Sequence, residues 1–346
     1  RQERFMALHY PHPHPPAAGE LTEVAPGVFW LRMPLPFQLD HINLWLLRDG
    51  DGWTMVDTGF ATDRVREVLL QVLAGLDGPA HRLDVIHFPP DHRGLASWLM
   101  NETGAQLWMT TGEFLTAHAV WNEVGGHGAR FMVEQFRQHG LEGERLARFE
   151  KRGSGYRMAV PELPEYYHRL KAGDAVAVDG RKWRILIGHG HSPEHMALYC
   201  GELGVVISGD MLLPKISTNI SVFAATPEAD SLGWFLESLG ELAREIPQKT
   251  LVLPSHGLPF TGVQARVEEL RAHHEERLRA LEEACEDVPK SAAGLLETLF
   301  QRALDTHQTM FGMGEAIAHL NYLRQAGRLS CSTDADGVIR FLRFQH

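Results

Sequence analysis

Two histidines and an aspartate that could bind a metal ion are crowded into one short segment, His87-Phe88-Pro89-Pro90-Asp91-His92. The segment follows the apolar pair Val85-Ile86, and we predict a short strand at residues 85–87 that leads into the motif. Imidazole and carboxylate groups suit zinc, and a catalytic zinc site keeps one position open for water. We therefore expect His87, Asp91 and His92 to lie on a loop and to contribute to a centre that activates water.

Four other polar motifs share this placement, since each follows a short apolar run that predicts a buried strand. They are Asp57-Thr58-Gly59 after residues 53–56, Gly188-His189-Gly190-His191-Ser192-Pro193-Glu194-His195 after residues 183–187, Ser208-Gly209-Asp210 after residues 205–207, and Pro254-Ser255-His256-Gly257 after residues 251–253. Loops at the ends of buried strands are held by a rigid sheet, and they commonly carry functional residues. The pattern predicts that the five loops form one dispersed site.

The order and spacing of these motifs, over roughly residues 20–260, resemble the metallo-β-lactamase superfamily. The resemblance implies an α/β fold, a four-layer αββα sandwich of two facing sheets with helices outside and metals at one edge. The metal ligands that it implies are His87, Asp91, His92, His191, Asp210 and His256.

Two metal positions follow from the resemblance. The first would use His87 and His191, the second would use Asp91, His92 and His256, and Asp210 would bridge them. Asp57 matches a family aspartate that supports the site from behind, and His195 is expected to be structural. Asp91 is the expected catalytic residue, which orients water and passes a proton to a leaving group.

Pro89 is a departure from the family pattern, which reads His-x-His-x-Asp-His. Proline has no side-chain donor atom, so the first metal position lacks one imidazole while the second is complete. We therefore expect one tightly bound zinc ion. A second ion, and iron or manganese in place of zinc, are left open.

The chemistry favoured by this ligand set is hydrolysis by zinc-bound hydroxide, since zinc lowers the pKa of its water to about 7. The favoured substrate is a small ester, thioester or lactone. A degenerate, non-catalytic binding protein is the main alternative because of Pro89. A nuclease and a hydrolytic dehalogenase are further alternatives within the family.

Composition fits a cytoplasmic enzyme that acts on a small molecule. The formal charge of −11 argues against a general nucleic-acid surface, which needs an excess of basic residues. No apolar run approaches the roughly 20 residues that a membrane span needs. The three cysteines Cys200, Cys285 and Cys331 lie far apart, so we expect no disulfide framework and a reducing compartment. A homodimer is left open.

The chain reads as three consecutive parts. Residues 1–19 predict an extended arm, residues 20–262 the metallo-β-lactamase domain, and residues 263–346 a small C-terminal helical domain that resembles a winged helix. Within the central part, residues 111–170 predict a helical, aromatic-rich insert placed to cover the metals as a lid. Helices are expected near residues 61–75 and 93–101, and over residues 266–286, 291–305 and 313–326, before a hairpin around Asp336-Gly337.

Overall fold

The structure, a computed structural model, describes residues 7–344. Its strands are β1 (Leu21–Ala25), β2 (Val28–Pro34), β3 (His41–Asp49), β4 (Gly52–Val56), β5 (Ala80–Asp84), β6 (Gln106–Thr110), β7 (His168–Leu170), β8 (Ala175–Val178), β9 (Arg181–Gly188), β10 (His195–Cys200), β11 (Val205–Gly209), β12 (Leu251–Pro254), β13 (Leu329–Thr333) and β14 (Ile339–Arg343). Its α-helices are α1 (Asp63–Gly75), α2 (Pro90–Arg93), α3 (Ala96–Thr103), α4 (Thr111–Asn122), α5 (Ala129–Gln138), α6 (Gly143–Arg152), α7 (Tyr156–Ala159), α8 (Ser231–Glu245), α9 (Val263–Ala284), α10 (Leu296–Phe300) and α11 (Thr306–Gln325).

Two sheets form the centre of the molecule. Strands β1 to β7 form the first sheet in chain order, antiparallel up to β4 and parallel from β4 to β7. The second sheet has the order β12-β11-β10-β9-β8. Trp30 and Trp45 of the first sheet share one buried apolar cluster with Trp183, Leu198 and Ile207 of the second. Burial of large side chains on both inner faces holds the sheets face to face.

Helices cover the two outer faces. Val65 of α1 and Leu99 of α3 pack against the first sheet, in one cluster with Met55 and Leu83. Helices α8, α9 and α11 pack on the second sheet in a separate cluster that includes Val252. The expected four-layer αββα sandwich is therefore confirmed.

The remaining segments attach to this sandwich. Helices α4 to α7 lie within residues 111–159. The helical insert was predicted to run to residue 170, but its last residues, His168–Leu170, form β7 of the first sheet. Beyond β12, the chain forms α9, a 3-10 turn at Ala293–Leu295, α10, α11 and the β13–β14 hairpin. In the N-terminal arm, His9 pairs with Thr261 through backbone hydrogen bonds, and residues 1–6 lie outside the described residues. No described helix is long and apolar enough to cross a membrane.

The prediction of a strand at residues 85–87 was wrong, because β5 ends at Asp84. The backbone amide of Ile86 donates to the Asp57 carboxylate at 2.9 Å, and its carbonyl accepts from Met196 at 3.1 Å. Because these partners replace the strand ladder, residues 85–89 form the loop that leads to the metal motif.

The helix boundaries also differ from the prediction. The helix expected at residues 93–101 is split into α2 and α3, and α2 already begins at Pro90. Proline is favoured in the first turn of a helix, where its missing N–H needs no partner. Asp91 and His92, expected on a loop, therefore lie on a single helical turn. In the C-terminal part, α11 begins at Thr306, because Asp305 and Gln308 form a capping box.

Candidate metal centre

The five polar motifs meet at one edge of the sandwich. Asp57 follows β4, and the motif loop, residues 85–92, follows β5. His191 follows β9, while Asp210 and His256 come just after β11 and β12. Strand directions place these strand ends at the same edge, because β11 and β12 are parallel and β10 runs antiparallel to both β9 and β11. The sheets therefore bring together side chains that are up to 199 positions apart, from Asp57 to His256.

Three imidazoles surround one carboxylate oxygen. The Nε2 atoms of His87, His92 and His191 lie 3.2, 3.3 and 3.4 Å from Oδ2 of Asp210. The Nε2 atoms of His87 and His191 are 3.1 Å apart. His87 and His92 are fully buried, so water does not screen this cluster from that side.

A second group adjoins the first through His92 and Asp210. Oδ2 of Asp91 lies 3.3 Å from Nε2 of His256 and 3.5 Å from Nε2 of His92. Nε2 of His256 is also 3.5 Å from Oδ1 of Asp210. Potential ligand atoms lie within 4.8 Å of one another both in the group His87, His92 and Asp210 and in the group Asp91, His92 and His256. The structure thus brings all six predicted residues together.

Hydrogen bonds of the Nδ1 atoms to surrounding residues leave the Nε2 atoms of three histidines facing the centre. Nδ1 of His191 donates to the carbonyl of Asn219 at 2.6 Å, and Nδ1 of His256 donates to the carbonyl of His41 at 2.9 Å. Nδ1 of His92 bonds to the Asp57 carboxylate at 2.6 Å. Carbonyl oxygens only accept, so Nδ1 of His191 and of His256 carries a proton, and Nε2 is the ring nitrogen that faces the cluster. This second layer of hydrogen bonds is the arrangement that orients metal-binding histidines.

Charges in the cluster favour a bound cation. Burial alone would raise the pKa of Asp210, but His92 and His256 outweigh it and hold the pKa well below its ordinary value. Burial and the neighbouring His92 lower the pKa of His87 to about 3. Nε2 of His92 and Oδ1 of Asp210 are buried and have no hydrogen-bond partner among residues 7–344. The donor set of imidazole nitrogens and carboxylates fits a divalent metal such as zinc.

The other candidate histidines lie around this centre. His195 is buried, and its Nε2 accepts a hydrogen bond from the amide of Asp210 at 3.0 Å. His189 is exposed and bonds to the carbonyl of Pro193 at 2.8 Å. Nε2 of His41 accepts from the amide of Gly257 at 2.9 Å, next to His256. The contacts of His195 and His41 hold the backbone at Asp210 and beside His256, whereas the ring of His189 bonds only within its own loop.

Sequence reasoning missed Glu113, a fully buried carboxylate on α4. It accepts hydrogen bonds from the amide of Phe88 at 2.9 Å, the hydroxyl of Ser192 at 2.6 Å and the amide of Glu194 at 2.8 Å. Glu113 thus ties the motif loop to the His191 loop. Its position just after β6 repeats the placement of the other motifs, and that signal could have revealed it.

The insert contacts the motif loop directly. The hydroxyl of Tyr156 donates to the carbonyl of Phe88 at 2.6 Å, and the two rings lie 6.1 Å apart. Other insert aromatics pack elsewhere, since Phe136 and Phe149 are buried in the cluster below α9 and α11. Tyr166 is 79% exposed.

A second group of polar residues, also not predicted from the sequence, lies in the C-terminal helices. His274, Glu315 and His319 are buried and place potential ligand atoms within 4.8 Å of one another. Nδ1 of His274 is 3.0 Å from Nε2 of His319, and Nδ1 of His319 donates to the carbonyl of Glu315 at 2.6 Å.

Known protein families match both the central region and the C-terminal region of the chain. A sequence model of the Metallo-beta-lactamase superfamily matches residues 38–256, and one of the Metallo-beta-lactamase-like, C-terminal domain matches residues 278–344. The chain is 46% identical to a beta-lactamase domain protein from Burkholderia ambifaria, whose crystal structure matches with a TM-score of 0.91 over 97% of this chain and 98% of that one.

Two further relatives are more distant. A metallo-beta-lactamase family protein from Thermus thermophilus is 32% identical, with a TM-score of 0.76 over 93% of this chain and 100% of that one. The protein named probable metallo-hydrolase YqjP from Bacillus subtilis is 24% identical over 309 residues, which cover 86% of this chain and 92% of that protein.

Proposed function

Because this chain belongs to the metallo-β-lactamase superfamily, we propose that it is a zinc-dependent hydrolase of a small ester, thioester or lactone. The observation that carries the proposal is the convergence of imidazole Nε2 atoms on the two carboxylates, with Nδ1 of His92, His191 and His256 bonded outward. Side chains held in this way lose little conformational freedom when they bind a metal. When bound, zinc would provide a nucleophile from water at neutral pH and polarise the carbonyl under attack.

Asp91 is the residue that we expect to move a proton. Its side chain is 21% exposed, whereas the other carboxylate of the cluster, Asp210, is 12% exposed and His256 is 5% exposed. Asp91 is therefore the more accessible of the two carboxylates. A carboxylate at the mouth of the site can accept a proton from attacking water and donate it to the leaving group. Burial alone would raise the pKa of Asp91, but the proximity of His92 and His256 keeps that pKa below its ordinary value.

Metal content tests the first part of the proposal. After dialysis against a mild chelator, we expect about one firmly held zinc per chain, because Pro89 removes one ligand from an otherwise two-metal centre. Two retained ions would contradict the depleted first position and would require a replacement ligand near residue 89.

Substitution of the ligands tests the second part. Asp210→Ala and His256→Ala should each abolish turnover and reduce zinc content, because each removes a donor atom from the cluster. His189→Ala is the matched control, because His189 lies on the same loop as His191 but is exposed. Equal losses in the control would contradict the assignment of ligands.

The main alternative is a binding protein that has lost catalysis, and Pro89 is the residue that favours it. The two proposals differ in one measurement, an assay of the zinc-loaded protein against a panel of esters, thioesters, lactones and phosphoesters. Turnover of any ester, thioester or lactone supports the hydrolase. Tight zinc binding without turnover of any substrate would favour the binding protein.

A further inference from the structure

One peptide group connects His191 to the C-terminal helix α11. The carbonyl of Asn219 accepts the hydrogen bond from Nδ1 of His191 at 2.6 Å. The N–H of Ile220, which belongs to the same peptide group, donates to Oε1 of Glu315 at 2.9 Å. Imidazole, peptide and carboxylate therefore form a continuous chain of hydrogen bonds between two segments that are 124 positions apart, from His191 to Glu315.

Glu315 is held rigidly at the end of this chain. The residue is 6% exposed, and its Oε2 lies 3.4 Å from the guanidinium of Arg277 on α9. The preceding Gly314 lies against the same segment, since a Cβ atom at that position would come within 2.4 Å of the hydroxyl oxygen of Ser221. A side chain at residue 314 would have to displace the Ser221 side chain, whose Cβ atom it would meet at 3.0 Å, so glycine permits the close approach of α11 to residues 219–221. The close approach thus fixes the distance that the hydrogen bond requires.

A carboxylate that accepts from a peptide N–H makes the carbonyl of that peptide a stronger acceptor, because hydrogen bonds in a chain polarise one another. A stronger acceptor at Nδ1 raises the basicity of Nε2, as a carboxylate bonded directly to a metal-binding histidine does. We propose that Glu315 is a positioning residue for His191 and acts on it through the Asn219–Ile220 peptide. The metal-binding part of this inference rests on the proposed function.

The hydrogen bonds around Glu315 also pair most polar atoms of the second buried group, His274, Glu315 and His319. His319 uses Nδ1 to donate to a backbone carbonyl, so its Nε2 is free to accept from Nδ1 of His274. Oε1 of Glu315 is occupied by Ile220, and Oε2 faces a cation. These contacts pair both nitrogens of His319 and both oxygens of Glu315, whereas Nε2 of His274 is buried and has no hydrogen-bond partner among residues 7–344. The competing proposal, a separate metal bound by His274, Glu315 and His319, predicts that His274→Ala and Glu315→Ala each remove one whole equivalent of metal.

The direct test uses metal-free protein at pH 8, above the pKa of about 7 that burial gives Glu315, and nuclear magnetic resonance of the Nδ1 proton of His191. In Glu315→Ala we expect that proton to shift upfield and to exchange faster with water, because its acceptor becomes weaker. Glu315→Gln keeps an oxygen for Ile220 but no charge, and should give a smaller shift in the same direction. Asn321→Ala is the matched control, since Asn321 is also buried on α11 but bonds to the carbonyls of Pro227 and Ala229.

Zinc affinity, measured by competition with a chelator, provides the second measurement. We expect about a 10-fold loss in Glu315→Ala, the size typical for loss of a residue that orients a metal-binding histidine. Glu315→Gln should lose less, and Asn321→Ala should match the unmodified protein. An unshifted proton in both Glu315 variants, or an equal shift in the control, would overturn the inference. If the unmodified protein binds no zinc yet the proton shifts, the proposed function fails while the link from Glu315 to His191 stands.

Discussion

Pro89 has a backbone conformation that histidine can also adopt. Its φ of −57° and ψ of 155° lie in the extended region that is open to most residues, and the following Pro90 favours the same region. Its carbonyl accepts from the amides of His92 and Arg93, and these bonds need no particular side chain at residue 89. The backbone of the motif loop should therefore tolerate a histidine.

From this conformation we predict that Pro89→His folds and raises zinc content from about one toward two ions per chain, because it restores a third imidazole to the first position. Elemental analysis after dialysis measures the change, with Pro90→Ala as a control that alters the same loop without adding a ligand. A folded Pro89→His protein with unchanged zinc content would show that residue 89 does not face the centre.

Glu315 also gives a prediction for the pH dependence of stability. Burial raises the pKa of its carboxyl group from 4.5 to about 7, although Ile220 and Arg277 oppose the change. Between these values the unfolded chain releases the proton first, so the free energy of unfolding falls as pH rises. Metal-free protein should therefore lose about 2 to 3 kcal/mol between pH 5 and pH 8 relative to Glu315→Gln. Urea unfolding at both pH values measures this, and parallel profiles for the two proteins would contradict it.

The types and order of residues were sufficient to identify the six side chains that converge, since metal binding needs particular donor atoms. The residues that orient them were harder to find. Glu315 and Asn219 act through a peptide group, and any residue supplies a peptide carbonyl. No sequence pattern marks such contacts, because they depend on how α11 packs on residues 219–221.

At the scale of elements, the insert carries a contact that can be tested. The hydroxyl of Tyr156 is the group that joins α7 to the motif loop through the carbonyl of Phe88. Tyr156→Phe removes this bond and should cost about 1 kcal/mol of stability. We expect it to change KM and substrate preference while zinc content stays the same, because no ligand is touched.

Tyr166→Phe is the control for that variant, since it makes the same chemical change at a residue that is 79% exposed. Chemical denaturation, steady-state kinetics and elemental analysis of both variants provide the comparison. A loss of zinc in Tyr156→Phe, or identical kinetics in the two variants, would contradict the assigned role of the insert.

Strand positions were predicted well where burial was continuous and poorly where side chains replaced backbone partners. Strand β4 is buried along its whole length, and its apolar run was recognised. Val85 and Ile86 are equally buried, yet they lie outside β5, because the amide of Ile86 donates its hydrogen bond to the Asp57 carboxylate and not to a neighbouring strand. Apolar sequence predicts burial, whereas the end of a strand depends on a polar partner from another loop.

At the scale of the whole molecule, the C-terminal helices share one core with the second sheet. Leu270 of α9 and Ile317 of α11 belong to the same buried cluster as Phe235 of α8 and Val252 of β12. The sequence indicated a change of character near residue 262, but composition could not show that the apolar faces on either side are buried against each other. The link from Glu315 to His191 crosses the same interface.

We therefore predict that a chain ending at residue 262 does not fold cooperatively. Each large apolar side chain that loses its partners costs about 1.5 to 3 kcal/mol, so a few of them equal the roughly 5 to 15 kcal/mol by which a domain is stable. Circular dichroism during urea unfolding and size-exclusion chromatography would test this, with the full chain as reference. Co-expression of residues 263–346 should restore soluble protein by covering the exposed face. A monomeric residue 1–262 fragment that unfolds at the same urea concentration as the full chain would show instead that the second sheet does not need α9 and α11.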